Sequence, residues 1–178
     1  MKMTIVPLDS VGGDIPRAIA RRLRTILPWR FIVASSLPDP LPHAGARALD
    51  VEQVLSLLPA NSQHNELSVA LTGLDLTAPE LDYVFGYAAP ERRAAAVSLY
   101  RLADGAEGRR CSRRLLVERA TKEILHEAGH LLGLSHCDEV LCVMRYSQAL
   151  QDTDIKRALY CTRCLTELSR MPEPAGER

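Results

Sequence analysis

Hydrophobic positions along this chain switch between alternating and helical spacing, and each switch marks an element. "TIVPL" (Thr4 to Leu8) reads as a strand. After the turn "DSVGGD", Asp14 is placed to cap a helix with Pro16 in its first turn. Ile15, Ala18, Ile19, Leu23, Ile26 and Leu27 then recur at helical spacing. "WRFIVAS" (Trp29 to Ser35) predicts a second strand, and the Pro/Gly-rich "LPDPLPHAGA" (Leu37 to Ala46) a loop. A short helix over Val51 to Leu58 and a third strand, "ELSVALT" (Glu66 to Thr72), follow. "LDYVFGYA" (Leu81 to Ala88) and "AAAVSLYRL" (Ala94 to Leu102) read as fourth and fifth strands across the turn "APERR". The loop "ADGAEGRR" then leads into a long helix from about Cys111 to Leu132. Strands alternate with helices and then adjoin, which predicts an α/β domain with a mixed sheet. No repeat or long linker divides the chain.

The long helix carries the chemistry. On a helix of 3.6 residues per turn, His126 and His130 lie one turn apart on one face, with Glu127 about 100° round from His126. Val117, Ala120, Ile124, Ala128 and Leu131 line the opposite side, and Arg119 and Glu123 share the histidine face. Two imidazoles at this spacing can hold one metal ion, and Glu127 between them is placed to hold a water as general base. A buried helix with two hydrogen-bonded histidines is the bland alternative. The continuation weighs against it. Gly133 can end the helix in a left-handed conformation and let the chain return His136 to the same point. Three histidines on zinc leave a fourth position open, the pattern of a catalytic site.

Composition narrows the classes. The 178 residues suit one domain with a real core. Hydrophobic residues make up 47% and charged residues 25%, with a formal net charge of +0, so no global field draws in nucleic acid or an anionic membrane. The doublets Arg21-Arg22, Arg92-Arg93, Arg109-Arg110 and Arg113-Arg114 read as solvated surface, with a phosphate-binding patch as the alternative. No apolar run approaches the roughly 20 residues of a membrane span, and "MKMTIVPL" is too short and too strand-like for a signal peptide. A cytoplasmic chain without an N-terminal pro-segment is the expectation.

Four of the five cysteines fall late in the chain. Cys137, Cys142, Cys161 and Cys164 form C-x4-C-x18-C-x2-C, a spacing suited to a closed, structural zinc site of four thiolates. Cys111 has no such partner in sequence and reads as a core or surface thiol. Cys137 directly follows His136, so anchoring the second site would hold a ligand of the first in place.

At this point the residues resemble a known family. "HEAGHLLGLSH" fits the extended HExxHxxGxxH pattern of metzincin metallopeptidases, and "HCDEVLCVM…CTRC" looks like the archaemetzincin branch with its second, four-cysteine zinc site. "VERATKE", "LDYVFGYA" and "AVSLYRL" also look like archaemetzincin segments. The resemblance runs from about 66 to 166 and weakens before it. It implies a compact metzincin-like domain, α+β in the order of its elements, with a twisted sheet of about five strands and an antiparallel edge strand. A small zinc-stabilised C-terminal subdomain (134–178) would follow an N-terminal one (1–133). It implies two Zn2+ per chain: a catalytic ion on His126, His130 and His136, and a structural one on the four cysteines. Glu127 would be the general base, Met144 the Met-turn residue, and Leu81, Asp82, Tyr83, Val84, Phe85 and Gly86 the strand that takes a peptide substrate. Two positions depart from the family. The 16 residues between Met144 and Cys161 are about one fewer than expected, and Tyr146 stands where Phe is common. In other metzincin branches a tyrosine there stabilises the oxyanion, which makes Tyr146 a candidate beside the plainer reading of a half-buried aromatic.

The resulting expectation is a monomeric zinc peptidase acting on short peptides, as endopeptidase or aminopeptidase. In the aminopeptidase case Asp75, Asp82 or Glu123 would receive the substrate amine. The alternative is a zinc-stabilised module that binds peptide or nucleic acid with little turnover. The loops Leu37 to Ala46 and Ala103 to Arg110 are where a lid is expected.

Overall fold

The computed structural model describes residues 1–40, 48–59, 65–104 and 110–170. Its elements are β1 (Lys2–Pro7), α1 (Ile15–Arg24), β2 (Arg30–Val33), β3 (Leu49–Asp50), α2 (Val51–Leu55), β4 (Glu66–Thr72), β5 (Leu76–Ala78), β6 (Leu81–Val84), β7 (Gly86–Ala89) and β8 (Ala94–Ser98), followed by α3 (Arg113–Leu131), α4 (Leu150–Ile155) and α5 (Thr162–Arg170). Five strands form the main sheet in the order β2-β1-β4-β8-β7. β1, β2, β4 and β8 run parallel, and β7 closes one edge antiparallel to β8. The mixed sheet with an antiparallel edge is thus present as expected.

Period-two burial divides the side chains between two cores. Ile5, Leu67, Val69, Ala95 and Val97 face α1 and α3, where Ile19, Leu23, Ala120 and Ile124 meet them. Val6, Ala70, Ala94 and Ala96 face the other way and pack with Val51, Val54 and Leu55 of α2. A small sheet, β3-β5-β6, covers this second core. Its strands have two to four residues, too short to show a period in the sequence.

Several boundaries differ from the sequence reading. The single strand expected over Leu81 to Ala88 is two strands. Val84 pairs with Leu76 in the small sheet, whereas Gly86 pairs with Val97 in the main one. Phe85, between them, turns into the main core. The strand from Ala94 stops at Ser98, whose hydroxyl donates to Leu74 O and accepts from the Tyr100 amide. Asp14 makes no side-chain cap for α1; its carboxylate pairs with Arg113 instead. The long helix begins after Ser112, whose hydroxyl caps the Leu115 amide. Most of the two loops expected as a lid lies outside the described residues.

The histidine face of α3 is not open along its length. Arg119 makes a two-pronged pair with Asp154, both contacts at 2.7 Å, and Lys122 donates to Thr153 O at 2.9 Å. Lys156 reaches Glu123 at 3.0 Å. The segment containing α4 therefore covers the first half of that face, and the face opens only near His126. Among the described residues no helix is long and apolar enough to cross a membrane.

Candidate metal centre

Helix α3 ends as its sequence dictates. Gly133 takes φ +91°, a region closed to most side chains. Its amide donates to His130 O and the Leu134 amide to Gly129 O, both at 2.9 Å. This pair of bonds is the Schellman arrangement, and it reverses the chain so that His136 faces back toward the helix.

The three histidines converge. His130 Nε2 lies 3.1 Å from His126 Nε2 and 3.2 Å from His136 Nε2. The other ring nitrogens of the helical pair meet carbonyls at 2.8 Å, His126 Nδ1 on Val143 O and His130 Nδ1 on Leu134 O. A carbonyl only accepts, so both Nδ1 atoms carry the proton and both Nε2 atoms present lone pairs to the shared point. Burial pushes His126 down to about 2 and lowers His130 and His136 as well, so the neutral ligand form prevails at neutral pH. Converging lone pairs repel unless a cation lies between them. Tetrahedral Zn–N bonds place nitrogens roughly 3.3 Å apart, close to the observed spacing.

Glu127 lies in the same cleft, 4% exposed. Among the described residues none donates a hydrogen bond to its carboxylate. Burial, reinforced by the neighbouring charge of Glu123, raises its pKa well above the usual carboxylate value. The cleft holds about 890 Å³ and is walled by β6 and β7 on one side and by His136, Tyr146 and Gln148 on the other. The expected substrate strand, Leu81 to Gly86, lines it in full. Tyr83 reaches across, its hydroxyl donating to Gln148 O at 2.8 Å.

Met144 is fully buried under the helix at Gly129. A Cβ at Gly129 would collide with Met144 Sδ and lie 3.2 Å from the Tyr160 ring, so this glycine admits the turn that follows Cys142. Tyr146 is 48% exposed, and its ring lies 4.9 Å from that of His136.

The four late cysteines also meet. Cys137 and Cys161 Sγ are 3.8 Å apart and Cys142 and Cys164 Sγ 3.7 Å, with all four sulfurs within 4.8 Å. These distances far exceed a disulfide bond and match the roughly 3.8 Å edges of a tetrahedron of four sulfurs around zinc. The Cys161 amide donates to Cys142 Sγ at 3.3 Å and Arg163 to Cys137 Sγ at 3.1 Å, contacts that favour thiolate. Cys111 stands apart, its thiol near Leu102 O.

Of the three acids weighed as amine acceptors, two are engaged. Asp75 holds Arg101 through two oxygens, and Glu123 holds Lys156 and Thr153. Asp82 is exposed and lines the cleft. Among the described residues of the arginine doublets, Arg22, Arg92 and Arg113 each pair with a carboxylate. The contact of Gly86 with Glu127, and the places of Gly129, Lys156 and Tyr160, carry no local signal in the sequence, because only the fold brings them to the site.

Known proteins match this chain in sequence and in fold. The sequence model of peptidase family M54 matches residues 48–170. The archaemetzincin of Thermococcus kodakarensis is 45% identical over 103 residues, 58% of this chain and 55% of that protein, so this alignment spans about half of the relative. The archaemetzincin of Pyrococcus furiosus is 36% identical over 92% of this chain and 90% of its own length. Among solved structures, the archaemetzincin of Archaeoglobus fulgidus is 32% identical over 94% of this chain and 99% of its own, with a TM-score of 0.81. A zinc-dependent peptidase from Methanocorpusculum labreanum is 28% identical over 93% and 99%, also at 0.81. The chain belongs to peptidase family M54, the archaemetzincins.

Proposed function

We propose that this chain is a zinc-dependent peptidase, with His126, His130 and His136 as ligands of a catalytic zinc and Glu127 as general base. The observation that carries the reading is the convergence of three histidine Nε2 atoms beside a buried carboxylate in one cleft. Zinc bound there supplies Lewis acidity, which polarises a carbonyl and acidifies water. Glu127 holds the attacking water, takes its proton and returns it to the leaving amine. Its raised pKa suits a group that must accept and then release a proton near neutrality. Tyr146, exposed beside His136, donates its hydroxyl to the developing oxyanion. An extended peptide lies along Leu81 to Gly86. Cys137, Cys142, Cys161 and Cys164 hold a second, structural zinc, which stabilises a C-terminal subdomain from residue 134.

Metal content measured together with digestion of a peptide mixture, for wild type and Glu127→Ala, tests this. Two zinc ions per chain and cleavage that disappears in Glu127→Ala are expected. One zinc ion, held by the cysteines alone, would overturn the ligand assignment. A second reading, a zinc-stabilised peptide-binding module with little turnover, draws support from the Tyr83–Gln148 bond across the cleft. Two zinc ions with no cleavage of any peptide would favour it.

A further inference from the structure

We infer that Gly86 is a positioning residue for Glu127: the missing side chain at the start of β7 sets where the carboxylate stands. The inference rests on the reading of Glu127 as general base. A Cβ built on Gly86 would lie 2.5 Å from Glu127 Oε1, 2.8 Å from Cγ and 2.9 Å from Cδ. Ordinary carbon–carbon contact is about 3.5–4.0 Å, so the whole end of the side chain, and not one oxygen, rests against bare backbone.

Two features make this contact decisive. First, no hydrogen bond from a described residue reaches the Glu127 carboxylate, so among the protein groups around it the packing on Gly86 limits its place. Second, the opposing wall is stiff. Gly86, Tyr87, Ala88 and Ala89 pair in register with Val97, Ala96, Ala95 and Ala94, and Phe85 O accepts the Ser98 amide at 2.8 Å just before Gly86. If a methyl group is added at position 86, the free side chain yields before the paired strand does. Restoring normal contact moves the carboxyl end by about 1 Å, and a misplacement of that size costs about 10²-fold in rate. A flexible side chain relaxes at little expense in stability, so the effect falls on function and not on folding.

Gly86→Ala, Glu127→Ala and the double variant, made in the zinc-loaded full chain, test the inference. Gly86→Ala is expected to retain its thermal midpoint and zinc content, to lose about 10²-fold in kcat, and to keep KM little changed. Glu127→Ala removes Cγ, Cδ and both oxygens and so gives back the space: any loss of thermal midpoint that Gly86→Ala causes in wild type is expected to vanish in that background, a coupling that independent residues do not show. A crystal structure of Gly86→Ala supplies a readout that needs no activity: the Glu127 carboxylate displaced and β7 unmoved. A kcat within twofold of wild type would overturn the inference. So would an unmoved carboxylate, or misfolding that Glu127→Ala does not relieve. If wild type shows no Glu127-dependent cleavage, the proposed function fails, and the position of the carboxylate in the Gly86→Ala crystal still decides the role of Gly86.

Discussion

His126 Nδ1 donates to Val143 O at 2.8 Å, and Val143 is the residue directly after Cys142. At the other end of the same loop, His136 is bonded in sequence to Cys137, whose amide donates to Met144 O at 3.0 Å. The cysteine cluster therefore borders the groups that orient two of the three histidines. Loss of such supporting contacts lowers metal affinity by about 10–100-fold. Cys161→Ser, Cys164→Ser protein is expected to bind zinc at the histidines that much more weakly, as read by competition with a chelator. Undiminished affinity would show that the loop holds its shape without the second site.

Glu123 and Lys156 form a buried pair, 4% and 0% exposed and 3.0 Å apart. The pair ties α3, one turn before Glu127, to the segment after α4. Removing one partner of a buried pair leaves an uncompensated charge and costs about 3–5 kcal/mol. Glu123→Gln and Lys156→Met are each expected to lower the thermal midpoint by roughly 6–20 °C at about 2–4 °C per kcal/mol. The double variant is expected to recover most of that loss, since neither position is then left with an uncompensated charge. Four melting curves measure the coupling, and additive losses would mean that the pair acts as two separate contacts.

The histidines also give the metal-free protein a predictable response to acid. Burial places His126, His130 and His136 below their ordinary value of 6.5, His126 at about 2. Between the folded and unfolded values the unfolded chain binds more protons, so stability is full above about pH 6.5 and falls as the pH drops from there. Each fully shifted group contributes a slope of about 1.4 kcal/mol per pH unit. Glu127, raised by burial, opposes this, because its stabilising share is lost as pH rises above its ordinary value of 4.5. The lowered His126 offsets the raised Glu127 between about pH 4.5 and 6.5, and the lowering of His130 and His136 tips the balance toward loss of stability as the pH falls below about 6.5. Urea unfolding of chelator-treated protein is expected to give a lower midpoint at about pH 5 than at about pH 7.5; equal midpoints would count against imidazoles held neutral in the fold.

What can be read in the sequence is what covalent geometry fixes. A helix sets His126 and His130 one turn apart wherever it lies, and Gly133 and His136 follow within six residues. The cysteine spacing is equally local at each end. Contacts between distant segments have no such signal. Gly86 meets Glu127 across 41 positions and Lys156 meets Glu123 across 33. The break at Phe85 is hidden because its neighbours favour strand on both sides and differ only in which sheet they join. The apolar back of α3 is visible in the sequence, but nothing local shows that α4 lies over its charged front.

Tyr146 gives the last test. Its ring lies against His136 at 4.9 Å and it is 48% exposed, so nothing in the core explains an aromatic there. It lines the cleft beside Ser147 and Gln148. If the hydroxyl stabilises charge that develops on the substrate oxygen, its contribution appears in the transition state and hardly at all in the bound substrate. Tyr146→Phe is then expected to lower kcat by about 10²-fold with KM nearly constant, the cost of removing one oxyanion donor. The ring is retained, so packing on His136 and zinc affinity are expected to stay as in wild type. Tyr146→Ala separates the two roles, since it removes the ring as well and is expected to loosen zinc binding. Steady-state kinetics with metal titration of both variants gives the answer: an unchanged kcat/KM in Tyr146→Phe would leave the ring, and not the hydroxyl, as the functional part of this residue.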